Sequence, residues 1–215
     1  MAATKMPARK VYAAFAPLFE APDDRTVVEA EHGVGVVGRA FPEAGAAFAA
    51  FAREIATLTE DAREELYLRT FAVAPSCIPY VGVHIYGEES FKRGELMAHL
   101  NGGFEAHEFR PEGELPDHVA VLLRFTAFLD DEELSELEAW LLTLPVQAMS
   151  ESMAGTRNPY RFLVESLETF VTRNGVPDVV RETLASQAHE PDADCSSCGV
   201  PTVAVNPSLT GGRTD

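Results

Sequence analysis

The sequence predicts one all-α globular domain followed by a flexible C-terminal tail. Apolar residues recur at helical spacing through most of the chain, and no segment shows the strict alternation of a half-buried strand. Start and stop signals, mainly capping residues, prolines and glycines, separate the helical stripes. The predicted domain spans residues 1–187 and the tail spans residues 188–215. No internal repeat has the period of a solenoid, so a stacked array is not expected.

The first half of the chain is predicted to contain three helices. The first is short or kinked, because Pro17 interrupts its apolar stripe. Residues 22–42 are predicted to be a loop, since their valines stand among several glycines. A strong amphipathic stripe then begins at Pro42, and Thr59 is placed to cap the helix that follows it.

The second half is predicted to contain four main helices and a short one after Pro145. Their start signals are Glu88-Glu89, Pro116, Asp130 with Glu133, and Asn158-Pro159. The pair Gly102-Gly103 is predicted to mark a kink, a close helix contact or a break in the first of them, because glycine costs about 1 kcal/mol in a helix interior. Residues 119–129 are apolar on all faces, which predicts a buried helix.

Charge and composition limit the class of protein. The chain carries 34 acidic and 17 basic residues, a formal net charge of −17 at pH 7, which repels phosphate backbones and anionic lipid. A nucleic-acid partner is therefore not expected. No run of about eighteen apolar residues and no secretory signal is present, so we expect a cytoplasmic protein without stable membrane insertion. Three cysteines do not form a disulfide framework.

The segment most suggestive of function is Glu114-Leu115-Pro116-Asp117-His118. Pro116 fits the first position of a helix, which places Asp117 and His118 in the first turn. The unpaired backbone amides of that turn favour a carboxylate and disfavour a charged imidazole. The pattern predicts a carboxylate beside a titratable ring, where a cationic partner can dock. An ordinary helix start with an acidic residue would give the same pattern.

Four stretches of the chain carry a resemblance to a known family. They are residues 11–23 ending in Ala21-Pro22-Asp23, the run Glu65-Leu66-Tyr67-Leu68-Arg69-Thr70-Phe71, residues 79–88 with Arg93-Gly94 after them, and Glu114-Leu115-Pro116-Asp117-His118. The arrangement resembles the TorD/NarJ family of redox-enzyme maturation chaperones, in the NarJ-like branch that serves nitrate-reductase-type molybdoenzymes. The last stretch is the most specific, because a Pro-Asp-His that begins a helix is the hallmark of that family. The resemblance covers about residues 9–174.

The resemblance implies an all-helical, cofactor-free chaperone rather than an enzyme. Such a protein binds the N-terminal segment of an apo molybdoenzyme catalytic subunit until the molybdenum cofactor is inserted. In branches with exported partners, that segment is a twin-arginine signal or its remnant. The resemblance also implies that Asp117 accepts a guanidinium, with Glu114, Pro116 and His118 in the same motif.

Aromatic residues near this motif are candidates for the wall of a peptide groove. Tyr80, Tyr86 and Phe104 are assigned to it by position and composition. The chain is expected to be a monomer or a dimer that exchanges helices, with residues 74–80 as the hinge.

Other interpretations remain open at this stage. A helical metal-dependent phosphohydrolase could use His118 and Asp117, with histidines from other helices as further ligands. An adaptor without a defined groove is a third class of function. Cys195 and Cys198 have C-x-x-C spacing, which makes them weak candidates for a metal or redox pair on the tail.

Overall fold

Helices account for most of the described chain, so the predicted all-α fold is confirmed. In a computed structural model, residues 6–111 and 113–174 are described. The predicted boundary at residue 187 and the tail with Cys195 and Cys198 lie outside these residues. The helices are α1 Met6–Phe15, α2 Thr26–Ala40, α3 Pro42–Ala56, α4 Glu60–Tyr67, α5 Val81–Tyr86, α6 Phe91–Ala106, α7 Val119–Phe125, α8 Asp131–Leu137, α9 Thr143–Met153 and α10 Tyr160–Asn174.

Tighter and wider helical turns extend some of these helices. A 3-10 turn, Ala16–Phe19, follows α1 and contains Pro17, which confirms the predicted interruption there. Wider π-type turns continue α4 through Leu68–Ala72 and α8 through Glu138–Leu142. None of the helices in the described part of the chain is both long and apolar enough to cross a membrane.

The core lies where α1, α2, α3 and α10 pack together. Its largest side chains are aromatic and fully buried, and several meet edge to face, as Phe15 and Phe48 do at a centroid distance of 5.0 Å. Burial of one such side chain contributes about 1.5–3 kcal/mol. The buried helix α7 contacts α1 and the 3-10 turn, which joins the Pro-Asp-His segment to this core.

Three predicted helix starts are confirmed by side-chain caps. Thr59 accepts a backbone amide in the first turn of α4 at 3.3 Å. Asp130 and Glu133 form a reciprocal capping box, with hydrogen bonds of 2.8–2.9 Å. Asn158 accepts the first amide of α10 at 3.0 Å. These starts depend on neighbours in sequence, which is why the sequence predicts them.

The prediction of a loop over residues 22–42 is wrong, because most of this segment forms α2. Its glycines allow close contact with α3 and do not break the helix. A Cβ on Gly33 would lie 2.4 Å from the ring of Phe48, and a Cβ on Gly45 would lie 2.5 Å from the Cα of Gly38. Close packing of the two helices therefore compensates for the low helix propensity of glycine.

Of the alternatives for Gly102-Gly103, the break is wrong, because α6 continues through both residues. Leu100 and Phe104 flank the pair and are buried, and their burial offsets the cost of about 1 kcal/mol for each glycine. The helix begins after Ser90 and not at the preceding glutamates.

Candidate functional site

The backbone at Asp117 is paired with the segment that precedes α5. The amide of Val81 donates to the carbonyl of Asp117, and the amide of Val119 donates to the carbonyl of Pro79, both at 2.8 Å. This antiparallel bridge is the only isolated bridge found in residues 6–111 and 113–174. The bridge fixes the segment before α5 against the segment before α7, although the two are far apart in sequence.

Asp117 is fully buried and forms an ion pair with Arg93. The Nε of Arg93 donates to Oδ2 at 2.7 Å, and Nη2 donates to Oδ1 at 3.3 Å. Gly82 permits this approach, because a Cβ there would lie 2.6 Å from Oδ2. Asp117 therefore accepts a guanidinium from the chain itself, and the prediction that it accepts the guanidinium of a partner stays a prediction.

The ion pair extends to a carboxylate at the surface. The guanidinium of Arg93 lies over the ring of Tyr80, 5.4 Å from its centroid. The hydroxyl of Tyr80 donates to Oε2 of Glu114 at 3.1 Å. Partial burial and then the charge of Glu114 raise the pKa of Tyr80, which keeps this phenol protonated as a donor. Three contacts thus connect buried Asp117 to half-buried Glu114, and we call these four residues the Asp117–Glu114 relay.

His118 caps α7 and is almost completely buried. Its Nδ1 accepts the amide of Ala120 at 3.2 Å, so the neutral ring carries its proton on Nε2. The prediction that Pro116 begins the helix is wrong by three residues. Pro116 and Asp117 lie in a turn, closed by a hydrogen bond from the amide of His118 to the carbonyl of Leu115, and the backbone bridge holds His118 extended before the helix begins at Val119. The ring of His118 meets that of Tyr80 edge to face at 5.1 Å.

Burial lowers the pKa of His118 to about 4, although Glu114 and Asp117 act in the opposite direction. The unfolded chain, with a histidine pKa near 6.5, therefore binds the proton more readily than the folded chain does. Stability is complete above about pH 6.5 and falls as the pH decreases towards 4. We expect the titration of His118 to lower the free energy of unfolding by about 1 kcal/mol when the pH falls from 7 to 5.5.

The measurement is urea unfolding at both pH values, for the natural chain and for His118→Asn. Asparagine retains a capping side chain but does not titrate. The pH-dependent loss should be smaller in the variant by about 1 kcal/mol. Equal losses in the two proteins would show that His118 is not the titrating group.

A pocket of about 550 Å³ lies beside Glu114, and we call it the first pocket. It is formed by the turn after α1, by α7 and by the loop before the Pro-Asp-His segment. Its lining residues are Glu20, Ala21, Phe109, Arg110, Pro111, Gly113, Glu114 and Arg124. Arg124 forms an ion pair with Glu20, whose pKa is raised, chiefly by partial burial. Glu114 is thus the acidic end of the relay and faces a cavity large enough for a side chain of a ligand.

Comparison with known protein families identifies the chain. The profile of the family described as "Nitrate reductase delta subunit" matches residues 38–171, which is more than half of the chain. The chain belongs to this family. The resemblance to NarJ/TorD-type chaperones is therefore confirmed, and the family indicates a molybdoenzyme assembly chaperone. No curated protein matches the chain.

The delta-subunit match includes the whole relay and α7 but not the turn that contains Glu20. Sequence reasoning did not identify Glu20, Arg110 or Arg124 as site residues. One signal was present for Arg124, because it is the single charged residue in the apolar run 119–129. Arg93 was noted only as part of the family resemblance.

The three aromatic residues that were predicted to line a peptide groove lie in three different places in this delta-subunit protein. Tyr80 is in the relay. Phe104 is buried against Phe109 and Phe125, at centroid distances of 5.1 and 4.7 Å, and it is among the residues that line a second cavity. Tyr86 ends α5 and lines neither of these two cavities. The role of Tyr86 in a groove stays a prediction.

The geometry does not favour a metal-dependent hydrolase in this family member. Both oxygens of Asp117 bond to Arg93, and Nδ1 of His118 is used by the cap of α7. Nε2 of His84 lies 2.8 Å from the carbonyl oxygen of Ile78. In the part of the chain that the structure describes, no three His, Cys, Asp or Glu side chains are arranged to hold a metal ion.

Proposed function

We propose that the protein is an assembly chaperone that binds the N-terminal segment of an apo catalytic subunit of a nitrate-reductase-type molybdoenzyme. It holds that subunit in the cytoplasm while the molybdenum cofactor is inserted, and it acts by binding rather than by catalysis. The family match supports the class of client. The observation that carries the site is the Asp117–Glu114 relay, which fixes an acidic side chain at the edge of a pocket.

In this proposal Glu114 accepts the positive charge of the client, such as an arginine of a twin-arginine-like segment. Glu114 is half-buried, whereas Asp117 cannot be reached unless Arg93 moves. Phe109 and the exposed side chain of Leu115 offer apolar contacts for neighbouring client residues. Asp117 and His118 are positioning residues, since they hold the loop that presents Glu114.

A peptide-binding measurement tests the role of Glu114. The probe is a synthetic peptide that copies the N-terminal segment of the organism's own nitrate-reductase-type catalytic subunit. Glu114→Gln removes the charge but keeps the size, and we expect about tenfold weaker binding in calorimetry, as the loss of a charge-assisted hydrogen bond predicts. The melting temperature should change little.

The matched control is Glu54→Gln, which makes the same change in net charge at an exposed position on α3. This variant should bind the peptide about as well as the natural chain. Equal affinities for Glu114→Gln and Glu54→Gln would contradict the site. No detectable binding of the peptide by the natural chain would contradict the proposed function itself.

A further inference from the structure

A second pocket lies across a loop from the first one. It has a volume of about 920 Å³, and it shares Phe109, Arg110 and Pro111 with the first pocket. We call these three residues the ridge. The rest of the second pocket comes from the last turns of α6 and the chain just after it, including Glu105 and Glu108. A ligand that lies across the ridge therefore contacts both pockets.

The second pocket combines aromatic walls with acidic residues. Phe104 and Phe109 meet edge to face at 5.1 Å, and the half-exposed ring of Phe128 packs on Phe109 at 5.0 Å. Glu105 and Glu108 are exposed and line the same cavity. A lysine or arginine side chain matches this combination, because its stem can lie on aromatic rings while its charge stays near carboxylates.

The charges of the two pockets differ in a way that favours a cation in the second. The described lining of the first pocket includes two glutamates and two arginines, and one of each is paired in the Glu20–Arg124 ion pair. Among the described residues that line the second pocket, Glu105 and Glu108 are acidic and one, Arg110 on the ridge, is basic. The net charge of −17 adds to the attraction for a basic segment and opposes an anionic ligand.

We infer that the second pocket is a further subsite for the client segment, and that it takes a basic residue on the far side of the ridge from Glu114. This inference rests on the proposed function, since it assigns a second part of the same ligand. It accounts for two pockets with common lining residues. One segment that crosses the ridge would place different residues beside Glu114 and beside Glu105 and Glu108.

The test uses the full chain, the N-terminal client peptide, and derived peptides in which one basic residue at a time is replaced by norleucine. The protein variant is Glu105→Gln with Glu108→Gln, two exposed positions whose change should leave the fold intact. We expect roughly five- to tenfold weaker binding of the unaltered peptide, as the loss of two partly exposed charge contacts implies. Replacement of one particular basic residue should cost affinity with the natural chain and little with the variant.

The matched control is Glu54→Gln with Glu165→Gln, which removes two exposed charges from α3 and α10. Binding by the Glu105/Glu108 variant that equals binding by this control would overturn the second subsite and leave the proposed function intact. The subsite is also wrong if its glutamates couple to the same peptide residue as Glu114 does. If the natural chain does not bind the peptide at all, both proposals fail.

Discussion

Replacement of Asp117 by alanine is expected to lower the free energy of unfolding by about 3–5 kcal/mol. The carboxylate is fully buried, and both of its oxygens accept hydrogen bonds from the guanidinium of Arg93, whose side chain is 12% exposed. Removal of one member of a buried pair leaves the other charge without its partner in a poorly solvated place. The loop that presents Glu114 should become less ordered, so peptide binding should weaken as well.

Urea unfolding measures this loss, and a second variant tests its cause. In a double-mutant cycle, Arg93→Met should cost much less in an Asp117→Asn background than in the natural chain, because the ion pair is already broken. The control is Arg173→Ala, which removes an exposed ion pair with Glu43 and should cost at most about 1 kcal/mol. A small effect of Asp117→Ala, similar to that of the control, would contradict the structural role of the pair.

Gly45→Ala is expected to destabilise the protein by about 2–3 kcal/mol, as overpacking of a close helix contact does. The new methyl group would lie 2.5 Å from the Cα of Gly38, which is backbone and has no rotamer that could relieve the contact. The helices α2 and α3 would have to separate, and the packing around Phe48 would loosen with them.

Gly38→Ala is the matched control for this prediction. It lies in the same helix contact, but nothing is within 4 Å of the position of its Cβ. Alanine there should therefore stabilise the protein by about 0.5–1 kcal/mol through helix propensity alone. Thermal unfolding of both variants checks the pair. Stabilisation by both substitutions would show that α2 and α3 do not meet through these glycines.

Local signals explain which parts of the fold the sequence predicts. The starts of α4, α8 and α10 follow from caps whose donors and acceptors are within three residues of each other. The segment 22–42 is different, because its glycines indicate a loop unless the partner helix is known. Only the packed structure shows that Gly33 and Gly45 are required where α2 and α3 make contact.

The candidate site shows the same division. The sequence indicated the family through Pro116, Asp117 and His118, and it placed Tyr80 near them. It also predicted that Asp117 would face a cationic partner from outside the chain. In the structure, the cation is Arg93, and the acidic residue at a pocket is Glu114.

The sequence by itself determined the all-helical class, three capped helix starts and the family motif, because these depend on short-range hydrogen bonds, periodicity and residue identity. The tertiary structure decided which charged side chains are buried and which remain accessible to a ligand. Arg93 lies 24 residues before Asp117, and their contact depends on the missing side chain of Gly82 and on a backbone bridge between distant segments. A linear pattern does not contain these distances, because they arise only when the helices pack against one another.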